Sequence, residues 1–190
     1  MATSVDATRR QILDTAYDLF YRKGFGRVGV DEVAAAAGFT KRTLYRHFRS
    51  KDDLLGAVLE FQHSLALARI RKWQELYSGS AEDMIDLLFS ELAKWSTKPE
   101  WTGSGFTRLA MELADLPGHP ARTGAHRHKA IVEEWYAELL TNAQVHSPAE
   151  RGRELALLAE GAMVLILIHG DRTYATAAAN AAKALIRRPG

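Results

Sequence analysis

Cysteine is absent from the 190-residue sequence, which excludes a disulfide framework, a thiolate zinc site and a cysteine nucleophile. Proline is scarce, at five residues, and β-branched runs are few, while Ala, Leu, Glu and Arg recur throughout. That balance leans helical. The longest apolar run, Gly161 to Ile168, falls far short of the roughly 18 residues that a membrane span needs. The polar stretch Met1 to Arg10 lacks the apolar core of a secretory signal. A soluble, cytoplasmic protein with no membrane contact is expected. Enzyme signatures are missing too: there is no Ser-His-Asp elbow, no glycine-rich phosphate loop and no His-Glu-x-x-His pattern. Neither catalysis nor a cofactor is expected.

What is present begins with a core. Apolar residues make up 47% of the chain, enough to bury a substantial interior and too many for intrinsic disorder. The formal net charge of +2 conceals an asymmetry. Residues 1–51 hold ten Lys and Arg against five acids, a net of +5, which leaves −3 for the remainder. A basic head on a mildly acidic body points to a polyanionic partner for the head alone, although a solvated basic face gives the same balance.

Apolar spacing organises the chain into helices. From Asp6 to Lys23, Ile12, Ala16, Leu19 and Phe20 form one face, and Gly24 supplies the stop. After a short loop, Gly29 stands at an N-cap position, and Val33, Ala34 and Ala37 line a helix that ends at Gly38. Thr40 caps the next helix, with Leu44 and Phe48 one turn apart on its buried side. Two short helices around Gly38-Phe39-Thr40 have the chemistry of a tight helix–turn–helix. Ser50 and Asp53 form a capping box for a long helix from Lys51 into the Tyr77 region. Further helices are expected over Ala81–Lys98, Gly103–Leu116, Ala125–Ala143, Pro148–His169 and Arg172–Arg188, with Ser147 capping before the first-turn Pro148. No segment has strand period, so the fold class is all-α.

The segment Lys41 to Phe48 carries the chemistry. On a helical wheel Leu44 and Phe48 lie together, while Arg42, Thr43 and Arg46 fall on the far side, flanked by Lys41 and Tyr45. A helix anchored by one face and offering guanidiniums, hydroxyls and a phenol on the other meets the needs of major-groove reading. Arg bonds guanine bidentately, and Thr, Tyr and Lys hold phosphates or touch thymine methyls.

Residues 9–59 resemble the DNA-binding domain of the tetracycline-repressor (TetR/AcrR) family of transcriptional regulators. The matching residues are Arg10, Ile12, Leu13, Ala16, Phe20, Gly24 and Phe25, then Val30 to Ala34, then the run AGFTKRTLYRHFRSKDDLL from Ala37 to Leu55. The resemblance implies a three-helix DNA-binding domain over residues 6–66, joined by a long helix to an effector-binding and dimerisation domain over 67–190. It implies that Thr40, Lys41, Thr43, Tyr45 and Lys51 touch phosphates or groove walls, and that Arg42 and Arg46 contact bases. His47, at the edge of this face, is either a phosphate contact or merely exposed. Two departures stand out: Val28 and Gly29 replace a usual Ser/Thr pair, and Arg42 replaces what is often a glycine.

For the body, the resemblance implies a homodimer through the last two helices, a small-molecule effector and a palindromic double-stranded operator. Ala175, Ala178, Ala179, Ala182 and Leu185 form a small-residue side suited to close helix approach, and the run from Met163 to Ile168 is greasy on nearly all sides. Trp73, Met84, Trp95, Trp101, Phe106, Met111, Trp135 and Met163 are candidates for an apolar pocket, and equally for ordinary core. His119, His126 and His128, near Glu112 and Asp115, could be metal ligands, but His126 and His128 diverge on a helix and no metal is assigned. The function these features imply is a repressor released by a largely apolar ligand; the alternative is a constitutive DNA-binding regulator without an effector.

Overall fold

The computed structural model describes residues 4–76 and 79–187. Among them are nine helices: α1 (Ser4–Lys23), α2 (Val30–Ala36), α3 (Lys41–His47), α4 (Lys51–Leu76), α5 (Ala81–Trp95), α6 (Gly105–Glu112), α7 (Pro120–Asn142), α8 (Pro148–His169) and α9 (Thr173–Ile186). No strand occurs among the described residues. Tyr77, where the long helix is expected to end, and Arg188, the expected end of the last one, lie outside them. No described helix is long and apolar enough to cross a membrane.

The chain divides into two compact units, one running to Ile70 and including Gly105–His126, the other comprising Arg71–Ser104 and Arg127 onward. A sequence boundary between residues 66 and 67 does not anticipate this interleaving. Its cause is apolar: Leu109, Leu113 and Ala121 are buried in the same core as Ile12, Phe20, Leu44, Phe48 and Leu54. Each of these side chains removes apolar surface from water at roughly 25 cal/mol per Å², so α6 and the start of α7 belong energetically to the first unit.

Local chemistry sets the helix ends. Gly24, at φ +93°, and Gly38, at φ +74°, turn the chain out of α1 and α2 in a conformation that costs other residues energy. Thr40 accepts from the Thr43 N–H at 3.1 Å, so the expected cap of α3 forms. The cap of α4 is shifted: Ser50 Oγ accepts from the Asp53 N–H at 3.0 Å, but Asp53 bonds back to the Arg49 N–H at 2.8 Å, one residue before the position a capping box uses. α7 starts five residues earlier than its apolar pattern indicates. Pro120 presets the first turn and His119 Nδ1 accepts from the Ala121 N–H at 3.1 Å, so a histidine acts as the cap. Ser147 does not cap α8; it sits at φ 51° and its hydroxyl bonds His146 Nδ1 at 3.0 Å instead.

In the second unit α9 packs on both α5 and α8. Ala175, Ala178, Ala179 and Ala182 are all buried there, so the small-residue side is consumed within the protomer and is not a free face. Lys183 of α9 and Arg187, its C-cap, pair with Asp86 at 2.6 Å and Glu82 at 2.6 Å, both on α5. Gly152 lets α8 approach α7 closely: a Cβ there would lie 2.8 Å from the Ala137 amide nitrogen.

Candidate nucleic-acid interface

α3 is seated as its pattern requires. Leu44 is fully buried and Phe48, its C-cap, is 2% exposed, within the core formed by α1, α2 and α4. Gln11 of α1 donates to the Ala37 carbonyl at 3.0 Å, tying α1 to the turn that precedes α3. Arg9 lies over the Phe48 ring at 5.2 Å and covers its outer edge. The anchoring face is therefore fixed, and the opposite face is free to present its side chains.

Arg42, Tyr45 and Arg46 are exposed on that face, and Thr43 is half-buried. Neither Arg42 nor Arg46 has a hydrogen-bonding or ionic partner among the described residues. An unpaired guanidinium keeps all five donors available for a phosphate or a guanine edge. Thr40 and Thr43 share a hydroxyl contact at 3.0 Å, so both hydroxyls cluster at the start of the helix. His47 is half-buried with its ring centroid 6.3 Å from that of Phe48.

The two lysines expected at phosphates are placed differently. Lys41 Nζ donates to Asp31 of α2 at 2.9 Å, and that hydrogen bond, reinforced by the carboxylate charge, holds its pKa above the usual lysine value. Lys51 Nζ sits 4.1 Å from the centroid of the Phe25 ring, and burial pushes its pKa down. Both lysines spend part of their charge within the protein. The fully buried Val28 explains one departure from the usual Ser/Thr pair: the position belongs to the core. Gly29 caps α2 without a side-chain bond, and nothing lies within 4 Å of where its Cβ would stand. Exposed Arg27, in the turn before α2, is a further unpaired cation that helical periodicity could not single out because it lies in a loop.

Sequence reasoning missed a bracket behind this surface. Glu112, at the end of α6, accepts from the Phe25 N–H at 3.1 Å and the Gly26 N–H at 2.5 Å. Arg108, one turn earlier, donates to the Tyr21 carbonyl at the end of α1. His119 faces Asp52 at 3.5 Å and meets the Phe25 ring edge-on at 6.0 Å. The Arg108/Glu112 spacing of four residues is the only trace of this bracket in the sequence.

The candidate pocket residues fall into groups. Trp73 and Trp135 lie 6.2 Å apart, and Trp95 meets Trp101 edge-on at 6.0 Å, all in the second unit. Met84 is buried on α5 and Met163 half-buried on α8. Phe106 and Met111 do not join them: Phe106 packs against the core of the first unit, and Met111 is 71% exposed, because α6 turns its apolar side to that core. Among the described residues no group of three or more His, Asp or Glu is placed to hold a metal ion.

A family model described as "Bacterial regulatory proteins, tetR family" matches residues 12–58, which include α2, α3 and the residues that seat them. The transcriptional regulator AcrR of Shigella flexneri is 40% identical over 57 residues, covering 30% of this chain and 26% of the relative. The transcriptional activator FasR of Mycolicibacterium smegmatis is 44% identical over 55 residues, covering 29% of this chain and 25% of the relative. This chain thus matches about a quarter of the length of these curated relatives. Along nearly its whole length it superposes on a TetR-family transcriptional regulator from Streptomyces coelicolor, at TM-score 0.84 and 26% identity, covering 95% of this chain and 94% of that one. The fold is also that of Escherichia coli NemR in its reduced form, at TM-score 0.85 and 22% identity, covering 96% and 99%. Residues 12–58 thus match the helix–turn–helix domain of the tetR family of bacterial regulatory proteins in sequence, and the chain along nearly its whole length has the fold of TetR-family transcriptional regulators.

Proposed function

We propose that this protein is a homodimeric, sequence-specific repressor that binds a palindromic operator and is released by a small, largely apolar molecule held in its second unit. The observation that carries the DNA reading is the pair Arg42 and Arg46, exposed and unpartnered on a helix whose other face is locked by Leu44 and Phe48. Thr40, Thr43, Tyr45 and, to a lesser degree, Lys41, His47 and Lys51 serve phosphates and groove walls.

Dimerisation is supported by α8. Leu157, Val164, Leu165 and Ile168, with Gly161 between them, follow helical spacing along one side, and the four large residues are 68%, 42%, 37% and 66% exposed. A second copy of the same stripe is a self-complementary cover. Effector binding is supported by the tryptophan pairs Trp73–Trp135 and Trp95–Trp101. α4 and α7 each run through both units and are the covalent routes for coupling. To relieve repression the ligand must favour the non-binding state by several kcal/mol.

Selection of bound duplexes from a random pool tests the reading. The expected product is an inverted repeat whose half-site centres are separated by about 34–36 Å, or a multiple of it. Failure to retain any duplex at low ionic strength overturns it. Because FasR is an activator, a reporter driven from the selected site decides the sign of regulation.

A further inference from the structure

The loop between α1 and α2 is held on both sides of a single exposed side chain. Gly24 turns at φ +93°, Phe25 is buried, and Val28 is fully buried. Glu112 accepts from the N–H groups of Phe25 and Gly26 at 3.1 and 2.5 Å. Between these residues stands Arg27, which bears the only exposed side chain from residue 24 to residue 29 and has no partner among the described residues. Folding has already ordered this backbone, so a group that binds Arg27 immobilises one side chain and little else.

Two ion pairs place the loop relative to α3. Lys23, at the end of α1, donates to Glu32 of α2 at 2.5 Å, and Lys41, the first residue of α3, donates to Asp31 of α2 at 2.9 Å. The first turns of α2 and α3 are therefore neighbours, and Arg27 precedes Asp31 by only four residues, at most about 14 Å of chain. From Lys23 to Lys41 the sequence holds three cations and two acids, and the pairing assigns the uncancelled positive charge to Arg27. Its place beside α3, rather than on it, selects what it meets. A side chain on a helix in the groove reaches base edges, whereas one at the flank of that helix meets the strand bordering the groove. A guanidinium with all five donors uncommitted suits a phosphodiester, whose two free oxygens it takes bidentately.

We propose that Arg27 grips a phosphodiester of the operator backbone outside the base pairs read from α3, with Glu112 holding the loop that presents it. The inference rests on the DNA reading proposed above and adds a contact from outside the two helices of the helix–turn–helix.

Salt titrations of operator binding by the full-length protein test it, on the duplex recovered by selection. Arg27→Gln is expected to weaken binding several-fold at moderate salt and to lower the slope of log affinity against log salt by about one unit per half-site. Preference across single-base operator variants should not change. Ethylating one particular phosphate per half-site should weaken binding of the unaltered protein and leave that of Arg27→Gln unaffected. Arg27→Lys keeps the charge and is expected to restore most of the slope. Arg22→Gln controls for net charge: Arg22 is also exposed and unpartnered among the described residues, but it lies about 200° around α1 from the buried Phe20. That variant is expected to match the parent. An Arg27→Gln protein with the parent's slope and ethylation pattern overturns the inference, as does a changed base preference or an equal effect of Arg22→Gln. If the unaltered protein retains no duplex at low ionic strength, the DNA reading falls and this contact with it. If it binds operator and Arg27→Gln behaves as the parent does, only the contact falls.

Discussion

An exposed charge is available to a nucleic acid only to the extent that the protein has not already used it, and the four cations around α3 differ on this point. Arg42 and Arg46 are unpartnered among the described residues, Lys41 is bonded to Asp31, and Lys51 lies on the Phe25 ring. Arg46→Ala is therefore expected to cost about 1–3 kcal/mol of operator binding and to relax preference at one base pair in each half-site. Lys51→Ala is expected to leave sequence preference intact. It removes a ring contact worth about 0.5–1 kcal/mol, so the melting temperature falls as well. Binding to a panel of single-base operator variants, together with thermal unfolding, separates the two; matching preference profiles for both variants refute the assignment. Gly29 offers the opposite kind of change. Its φ of −86° and ψ of 157° suit any residue, and the space around its Cβ is open. Gly29→Ser supplies a cap to α2 and restricts the unfolded chain, for an expected gain of about 0.5–1 kcal/mol. A melting temperature that does not rise contradicts the capping argument.

Elements were legible where their apolar period is strong and their caps are local. α1, α2 and α3 follow from Ile12, Ala16 and Phe20, from Val33 and Ala34, and from Thr40, Leu44 and Phe48, because each helix exposes one apolar stripe between recognisable stops. The start of α7 was not legible, since a histidine cap and the Pro120 turn carry no apolar signal. Nor was the membership of α6 in the first unit, which depends on contacts almost ninety residues apart in sequence, such as Glu112 to Phe25. That contact has a measurable consequence. Glu112 satisfies two backbone N–H groups in the turn between α1 and α2, and its exposure to solvent keeps the net value modest. Glu112→Ala is expected to lower stability by about 1 kcal/mol and to speed hydrogen exchange at the Phe25 and Gly26 amides more than at the α3 amides. Unchanged exchange at those two amides contradicts the bracket.

At the level of the whole molecule, the surface proposed for DNA could be read from residues 9–59 alone, whereas the surface proposed for association could not. The sequence offered the α9 alanines and the greasy end of α8 together as one interface through the last two helices, and periodicity cannot say how much of either the chain buries in itself. Packing within one copy treats them differently. The α9 alanines are buried within the second unit, which contains α5 and α8, leaving Leu157, Val164, Leu165 and Ile168 exposed. If that stripe holds two copies together, its disruption has a signature in salt dependence that local misfolding does not produce. Each phosphate neutralised adds close to one unit to the slope of log affinity against log salt, and a dimer on two half-sites neutralises twice as many as a single head on one. Leu157→Glu with Ile168→Glu places like charges on a self-contacting face while leaving the first unit unaltered. The double variant is expected to sediment as a monomer and to lose about 10²–10⁴ in operator affinity, the advantage of linked binding. Its salt slope should fall to about half. A variant that remains dimeric, or a monomer whose slope on the full operator matches that of the parent, excludes the α8 stripe as the surface that sets half-site spacing.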